Sequence, residues 1–268
     1  MAITPAALTG VPFLFAGRIE EGIRCAADLG YDAVELHLRD PMAPEVPGIL
    51  KAVRAAGLAV SSLGTGQGFT VDKLSVSAAE KDAAQQAVAR IESHVRVAAG
   101  LGAVVIVGSM QGRLSADPAA RAAQIETAVS GLRRVGDEAA RAGVRVALEP
   151  LNRYETNFLN TVVQANAFLD RVGHPALGML VDTFHANIEE TSMTSAIAAA
   201  GRRLALVHLS DSNRGAPGTG HTNFRPLLGA MLSAGYDGYL SAEILPLGDD
   251  RAAAGTAATE MRRLIKEC

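Results

Sequence analysis

The chain has 268 residues, 49% of them hydrophobic, and a formal net charge of −3. That length suits one α/β barrel of about 250 residues better than two small domains. Only four of the 25 basic residues are lysines (Lys51, Lys73, Lys81 and Lys266) and no basic block exists, which speaks against a nucleic-acid groove.

The two cysteines, Cys25 and Cys268, do not make a secreted disulfide scaffold. Met1–Gly10 has no basic segment followed by an apolar core, so no secretory leader is expected and a cytoplasmic enzyme is the simpler expectation. The longest strand-like apolar run, Ala103–Val107, is far too short to cross a bilayer, and no membrane association is expected.

Short β-branched runs alternate with Ala-rich helical stretches, which predicts parallel strands joined by crossover helices. The first strand is placed near Ile3–Leu8, interrupted by Pro5 and Pro12. A helix over Ile19–Leu29 stops at Gly30. Strand 2 is Ala33–His37, followed by a helix over Pro47–Ala56. Strand 3 is Ala59–Leu63 and runs into the Gly-rich stretch Gly64–Gly68. A long helix over Ala78–Gly100 precedes strand 4, Ala103–Val107. Asp117-Pro118 is an N-cap with proline in the first turn, opening a helix to about Ala142. Strands 5 to 8 end at Glu149, Asp182, His208 and Glu243, and a last helix covers about Arg251–Glu267. No linker interrupts the pattern, so residues 1–268 read as a single (β/α)₈ (TIM) barrel catalytic domain. No helix face stands out as an exposed apolar patch.

The last four strands each close on a metal-type donor, spaced 33, 26 and 35 residues apart. Each gap is about one strand-plus-helix unit. A lone acid after a strand is more often a helix cap or ion-pair partner, and a lone histidine is more often a core residue. Four such groups at four successive strand ends, where a barrel carries its active site, point instead to a divalent-metal site. Without a cation their convergence would cost several kcal/mol in repulsion and desolvation. Three carboxylates and one imidazole suit Mn²⁺ or Mg²⁺ rather than a structural Zn²⁺.

Polar residues crowd the loops that follow. Glu155 stands in Asn152–Asn157, His185 three residues past Asp182, and Arg214 before a loop with three glycines and Pro217. Loop solvation is the plainer alternative for Glu155, and a surface ion pair the alternative for Arg214.

Four stretches carry a resemblance: E-P-L-N-R-Y-E-T-N-F-L-N-T (149–161), V-D-T-F-H-A-N-I-E-E (181–190), D-S-N-R-G-A-P-G-T-G-H (211–221) and S-A-E-I-L-P-L (241–247). They resemble the sugar isomerase/epimerase family with xylose-isomerase-like barrels, within it the D-tagatose (ketose) 3-epimerase group. R-D-P (39–41), G-T-G-Q (64–67) and G-R (112–113) look closer still to its 5-keto-L-gluconate epimerase branch. The resemblance implies Mn²⁺, with Mg²⁺ or Co²⁺ as substitutes, on Glu149, Asp182, His208 and Glu243. It implies Glu149 and Glu243 as the paired acid/base carboxylates, and Glu155, His185 and Arg214 as contacts to ketose oxygens. A homodimer or higher homo-oligomer is implied in the same way. For a keto sugar acid, Arg113 is the candidate for the substrate carboxylate, with Gln67 and Gln111 as lesser ones.

The expected reaction is inversion at C3 of a ketose or keto sugar acid through a cis-enediolate. Aldose–ketose isomerisation of the hydroxypyruvate type is the nearest alternative, because it uses nearly the same carboxylates. A phosphodiesterase of the endonuclease IV type would need more histidines than the six present. A non-catalytic sugar-binding barrel would not need both glutamates.

Overall fold

Eight parallel strands pair strictly in chain order, β1 (Ala2–Ile3), β2 (Ala33–His37), β3 (Ala59–Gly64), β4 (Val104–Val107), β5 (Val146–Leu148), β6 (Leu177–Asp182), β7 (Leu204–His208) and β8 (Leu240–Ser241). The main-chain N–H of Ala2 donates to the carbonyl of Ala242 at 3.0 Å and brings the first strand back to the last. The computed structural model describes residues 1–267; Cys268 lies outside them. Among the described residues Cys25 is a buried thiol without a disulfide partner.

Helices α1 (Ile19–Asp28), α2 (Val46–Ala55), α4 (Lys81–Ala99), α5 (Pro118–Ala142), α6 (Val162–Val172), α8 (Met193–Ala200), α9 (Phe224–Ser233) and α10 (Asp250–Lys266) cover the outside, with short helices α3 (Gln67–Thr70) and α7 (Thr183–Glu189) at strand ends. Local signals fix their ends. The Asp117 side chain accepts from the Ala120 N–H with Pro118 in the first turn of α5, and Gly143 at φ 66° ends that helix. Thr161 and Gln164 form a reciprocal capping box at the start of α6. No helix among the described residues is long and apolar enough to cross a membrane.

Two apolar layers hold the barrel. The larger lies between strands and helices and includes Ile3, Leu36, Leu63, Val105, Val107, Met179 and Val207. The smaller, built on Ile106, Ala147, Leu180 and Leu206, fills the interior. Side chains alternate across a strand, so the inward residues fall into levels. Glu35 pairs with Ser62 between β2 and β3, and Leu180 with Leu206 between β6 and β7. Two residues on, towards the C-terminal mouth, come His37 beside Gly64 and Asp182 beside His208.

Three sequence expectations change. Strand 1 is only two residues long, because the chain turns away through Pro5 and meets Ile3 again as an isolated bridge at Leu14. α3 begins inside the Gly-rich stretch after strand 3. An apolar groove does exist: Leu228, Met231, Met261, Ile265, Tyr31 and Tyr236 line it. Tyr31 and Tyr236 precede β2 and β8, so the groove lies at the barrel end opposite the strand C-termini.

Candidate active site

Asp182 and His208 are the last residues of β6 and β7, Glu149 follows β5 directly, and Glu243 lies two residues past β8. All four side chains are buried, and one donor atom from each lies within 4.8 Å of the others. His208 Nδ1 sits 3.7 Å from Glu149 Oε1, 3.8 Å from Asp182 Oδ2 and 3.6 Å from Glu243 Oε2. The fold thus brings the four strand-end residues to one centre.

Three of the donors are held from behind. The Glu149 N–H donates to the Val107 carbonyl, and Gln111 Nε2 donates to the Glu149 carbonyl at 3.0 Å. Asp182 Oδ1 caps α7 by accepting from the Phe184 N–H at 2.7 Å, leaving Oδ2 free. His208 Nε2 lies 3.1 Å from Glu35 Oε2. A Cβ on Gly108 would collide with Glu149 Oε2, and one on Gly64 with the His37 ring, so these two glycines make the space that those side chains fill.

The electrostatics are unbalanced in the way a cation site demands. Burial drives the Glu149 carboxyl well above the usual carboxylate range; His208 opposes this, while Glu243 and Asp182 add to it. Burial would also raise Asp182 and Glu243, but both end below that range. His185 and His208 outweigh burial at Asp182, as His208 and Arg214 do at Glu243. Burial disfavours charge on His208 too, yet Glu35 and Glu243 hold its pKa well above 6.5. Glu149 Oε1, Asp182 Oδ2 and His208 Nδ1 are buried without a hydrogen-bond partner. Buried, unpaired acceptors facing one point are costly unless a positive charge sits there. The donor set fits a divalent cation.

The polar residues flank this centre. Asn152 donates to His185 Nδ1 from its side chain at 2.8 Å and from its main chain at 3.3 Å. Nδ1 is therefore the acceptor, and the His185 proton sits on Nε2. That Nε2–H is buried and unpartnered, 3.7 Å from Asp182 Oδ2 and 3.9 Å from Glu149 Oε1. Burial lowers the His185 pKa, which favours the uncharged ring.

Arg214 donates to Glu243 Oε2 at 2.9 Å and to Glu155 Oε1 at 3.2 Å, with its guanidinium 4.6 Å above the Phe184 ring. Glu155 also accepts from Asn152 Nδ2 at 3.0 Å. Arg113 lies on the rim: its Nε and Nη2 donate to the main-chain carbonyls of Glu155 and Tyr154 at 3.1 and 3.0 Å. Gln67 is buried and donates to Thr4 Oγ1 and the His37 carbonyl, while Gln111 is spent on Glu149 and Leu159.

Sequence reading missed Glu35, His37 and Asn152. Glu35, His37 and Glu243 form a second group of close donors. The signal was present: Glu35 and His37 are the only charged or titrating residues in the run A-V-E-L-H, and they share one face of the strand.

These features define a (β/α)₈ barrel whose C-terminal mouth carries a buried, oxygen-rich donor set for a divalent cation. The chain belongs to the xylose isomerase-like TIM barrel family, whose model matches residues 23–268. It is 38% identical over 227 residues to a ketose 3-epimerase of Arthrobacter globiformis, covering 81% of this chain and 76% of that one. It is 32% identical over 228 residues to an L-ribulose 3-epimerase of Mesorhizobium japonicum, covering 84% and 75%. A crystal structure of D-allulose 3-epimerase from Methylomonas sp., in complex with D-allulose, superposes with a TM-score of 0.80 at 29% identity, over 98% of this chain and 96% of that one.

Proposed function

We propose that the protein is a divalent-metal-dependent sugar 3-epimerase, inverting C3 of a ketose or keto sugar acid. One observation carries the reading. Glu149 after β5 and Glu243 after β8 bring carboxylates to the same centre from strands three places apart around the barrel, with His208 Nδ1 3.7 and 3.6 Å from their oxygens. The 3-epimerase relatives support it.

Glu149, Asp182, His208 and Glu243 would hold Mn²⁺, with Mg²⁺ or Co²⁺ as substitutes, and the bound ion supplies Lewis-acid polarisation of a carbonyl. The C3 proton of a ketose lies α to the C2 carbonyl and is acidic for that reason. Inversion needs the proton taken from one face and returned on the other, a task we assign to Glu149 and Glu243. Each positioned acid/base contributes about 10²–10⁴ in rate. The His185 Nε2–H and the Arg214 guanidinium donate to the oxygens of the cis-enediolate. Both are fixed beforehand, His185 by Asn152 and Arg214 by Glu155 and Phe184, so little reorganisation is required. The two Arg113 donors that have partners hold the loop bearing Glu155, and we give Arg113 that role rather than contact with a substrate carboxylate.

Turnover of a ketose and keto sugar acid panel with Mn²⁺ in D₂O tests the reading by NMR. Deuterium is expected at C3. Label at C1 without label at C3 would replace epimerisation by aldose–ketose isomerisation. In the same panel Arg113→Ala is expected to slow 5-keto-L-gluconate and D-fructose equally; a loss confined to the keto acid would return Arg113 to the substrate.

A further inference from the structure

Glu35 is fully buried on β2, two residues further into the barrel than His37 at the strand's C-terminal end. Nothing in the proposed proton transfers uses it. A buried carboxylate is costly unless every oxygen is paired, and here both are. Oε1 lies 2.7 Å from His37 Nε2; Oε2 lies 2.5 Å from Ser62 Oγ and 3.1 Å from His208 Nε2. A carboxylate only accepts, so all three neighbours donate to it.

The consequence falls on His208. With its ring proton held on Nε2 by Glu35, the lone pair of the neutral ring is on Nδ1. That is the atom without a partner, facing Glu149, Asp182 and Glu243. The other tautomer would set a lone pair against the Glu35 carboxylate and an N–H into the donor set. We infer that Glu35 is the positioning residue that makes His208 an Nδ1 donor for the cation, and that it fixes the His37 ring beside Glu243 with its second oxygen. The inference rests on the cation site proposed above. Outer carboxylates of this kind typically change metal affinity 10–100-fold when removed.

The test is cation binding by calorimetry on the full chain, with no activity readout. Glu35→Met is close in size and has no acceptor. It is expected to weaken Co²⁺ by about 10–100-fold and Mg²⁺ by less, because imidazole matters more to Co²⁺ than to Mg²⁺. The Glu35→Met loss is expected to shrink in a His208→Gln background, since coupled residues are non-additive. Ser62→Ala keeps both histidine contacts and is expected to leave the affinities nearly unchanged. Equal losses for both cations, or a full loss persisting without His208, would overturn the inference alone. A wild-type chain that takes up neither cation overturns the cation site, and the inference with it. If Glu35→Met does not fold, ¹⁵N-histidine NMR of the wild-type chain loaded with ¹¹³Cd²⁺ decides. Cadmium on His208 Nδ1 with a proton on Nε2 supports the assignment, and the reverse removes it.

Discussion

At the scale of single residues, the site depends on what is absent as much as on what is present. Gly108 sits on the same inward face as Glu149, and a methyl group there would occupy the position of Glu149 Oε2. The Glu149 side chain has no slack, since its own backbone is tied to Val107 and Gln111. Gly108→Ala is therefore expected to displace the carboxylate by a fraction of its length without unfolding the barrel. A misplacement of about 1 Å costs on the order of 10² in rate. Steady-state kinetics with a thermal melt checks this. A variant with wild-type kcat would mean that Glu149 does not need its present position. Gly108 does not stand out in the sequence, because a glycine beside a strand end reads as turn chemistry. Its value here comes from a neighbour 41 residues away in the chain, at Glu149.

At the scale of elements, the strands that ended in a single acid or histidine were legible because a charge closing an apolar run is conspicuous. Strand β2 is legible as a strand, but Glu35 and His37 alternate with its apolar residues, and their partners lie on other strands. β1 was blurred by Pro5, and its true extent depends on pairing with β2, which no local pattern reports. The loop after β7 was legible as a tight turn but not as a built one. Its organiser is Asp211, fully buried, whose carboxylate accepts from the N–H groups of Ser212, Thr222 and Gly218 at 2.7, 2.9 and 2.8 Å. These donors, outweighing burial, hold its pKa below 3.8. The loop in turn keeps Arg214 at φ 58°, a left-handed conformation unfavourable for a residue with a Cβ, so the guanidinium reaches Glu243. Asp211→Ala removes the acceptor for three N–H groups and releases that strain. We expect kcat/KM to fall by about 10²-fold through Arg214, with hydrogen exchange accelerating across residues 211–222. Unchanged exchange with unchanged kcat/KM would show that the loop holds Arg214 without Asp211.

At the scale of the whole molecule, the barrel contains one region that opposes its own folding. The mouth buries three carboxylates and an imidazole, and three of their polar atoms have no hydrogen-bond partner. Glu149 and His208 both hold protons more tightly than in the unfolded chain. A group with a raised folded pKa loses its contribution as pH rises through that value, because the unfolded chain gives up its proton first. Asp182 and Glu243, with lowered values, act in the opposite sense. A bound cation replaces the protons on Glu149 and His208, so its stabilisation grows as pH rises. At a concentration about 100-fold above Kd it contributes about 2.7 kcal/mol. For a chain of this size each kcal/mol moves Tm by about 2–4 °C. Addition of Mn²⁺ to chelator-treated protein is therefore expected to raise Tm by about 5–11 °C, more at pH 8 than at pH 6, and excess chelator should reverse it. The same melt on Asp182→Asn, which keeps the α7 cap acceptor but loses one charged donor, should show a smaller rise. A Tm indifferent to the cation at both pH values would mean that the four strand ends balance their charge by protons alone.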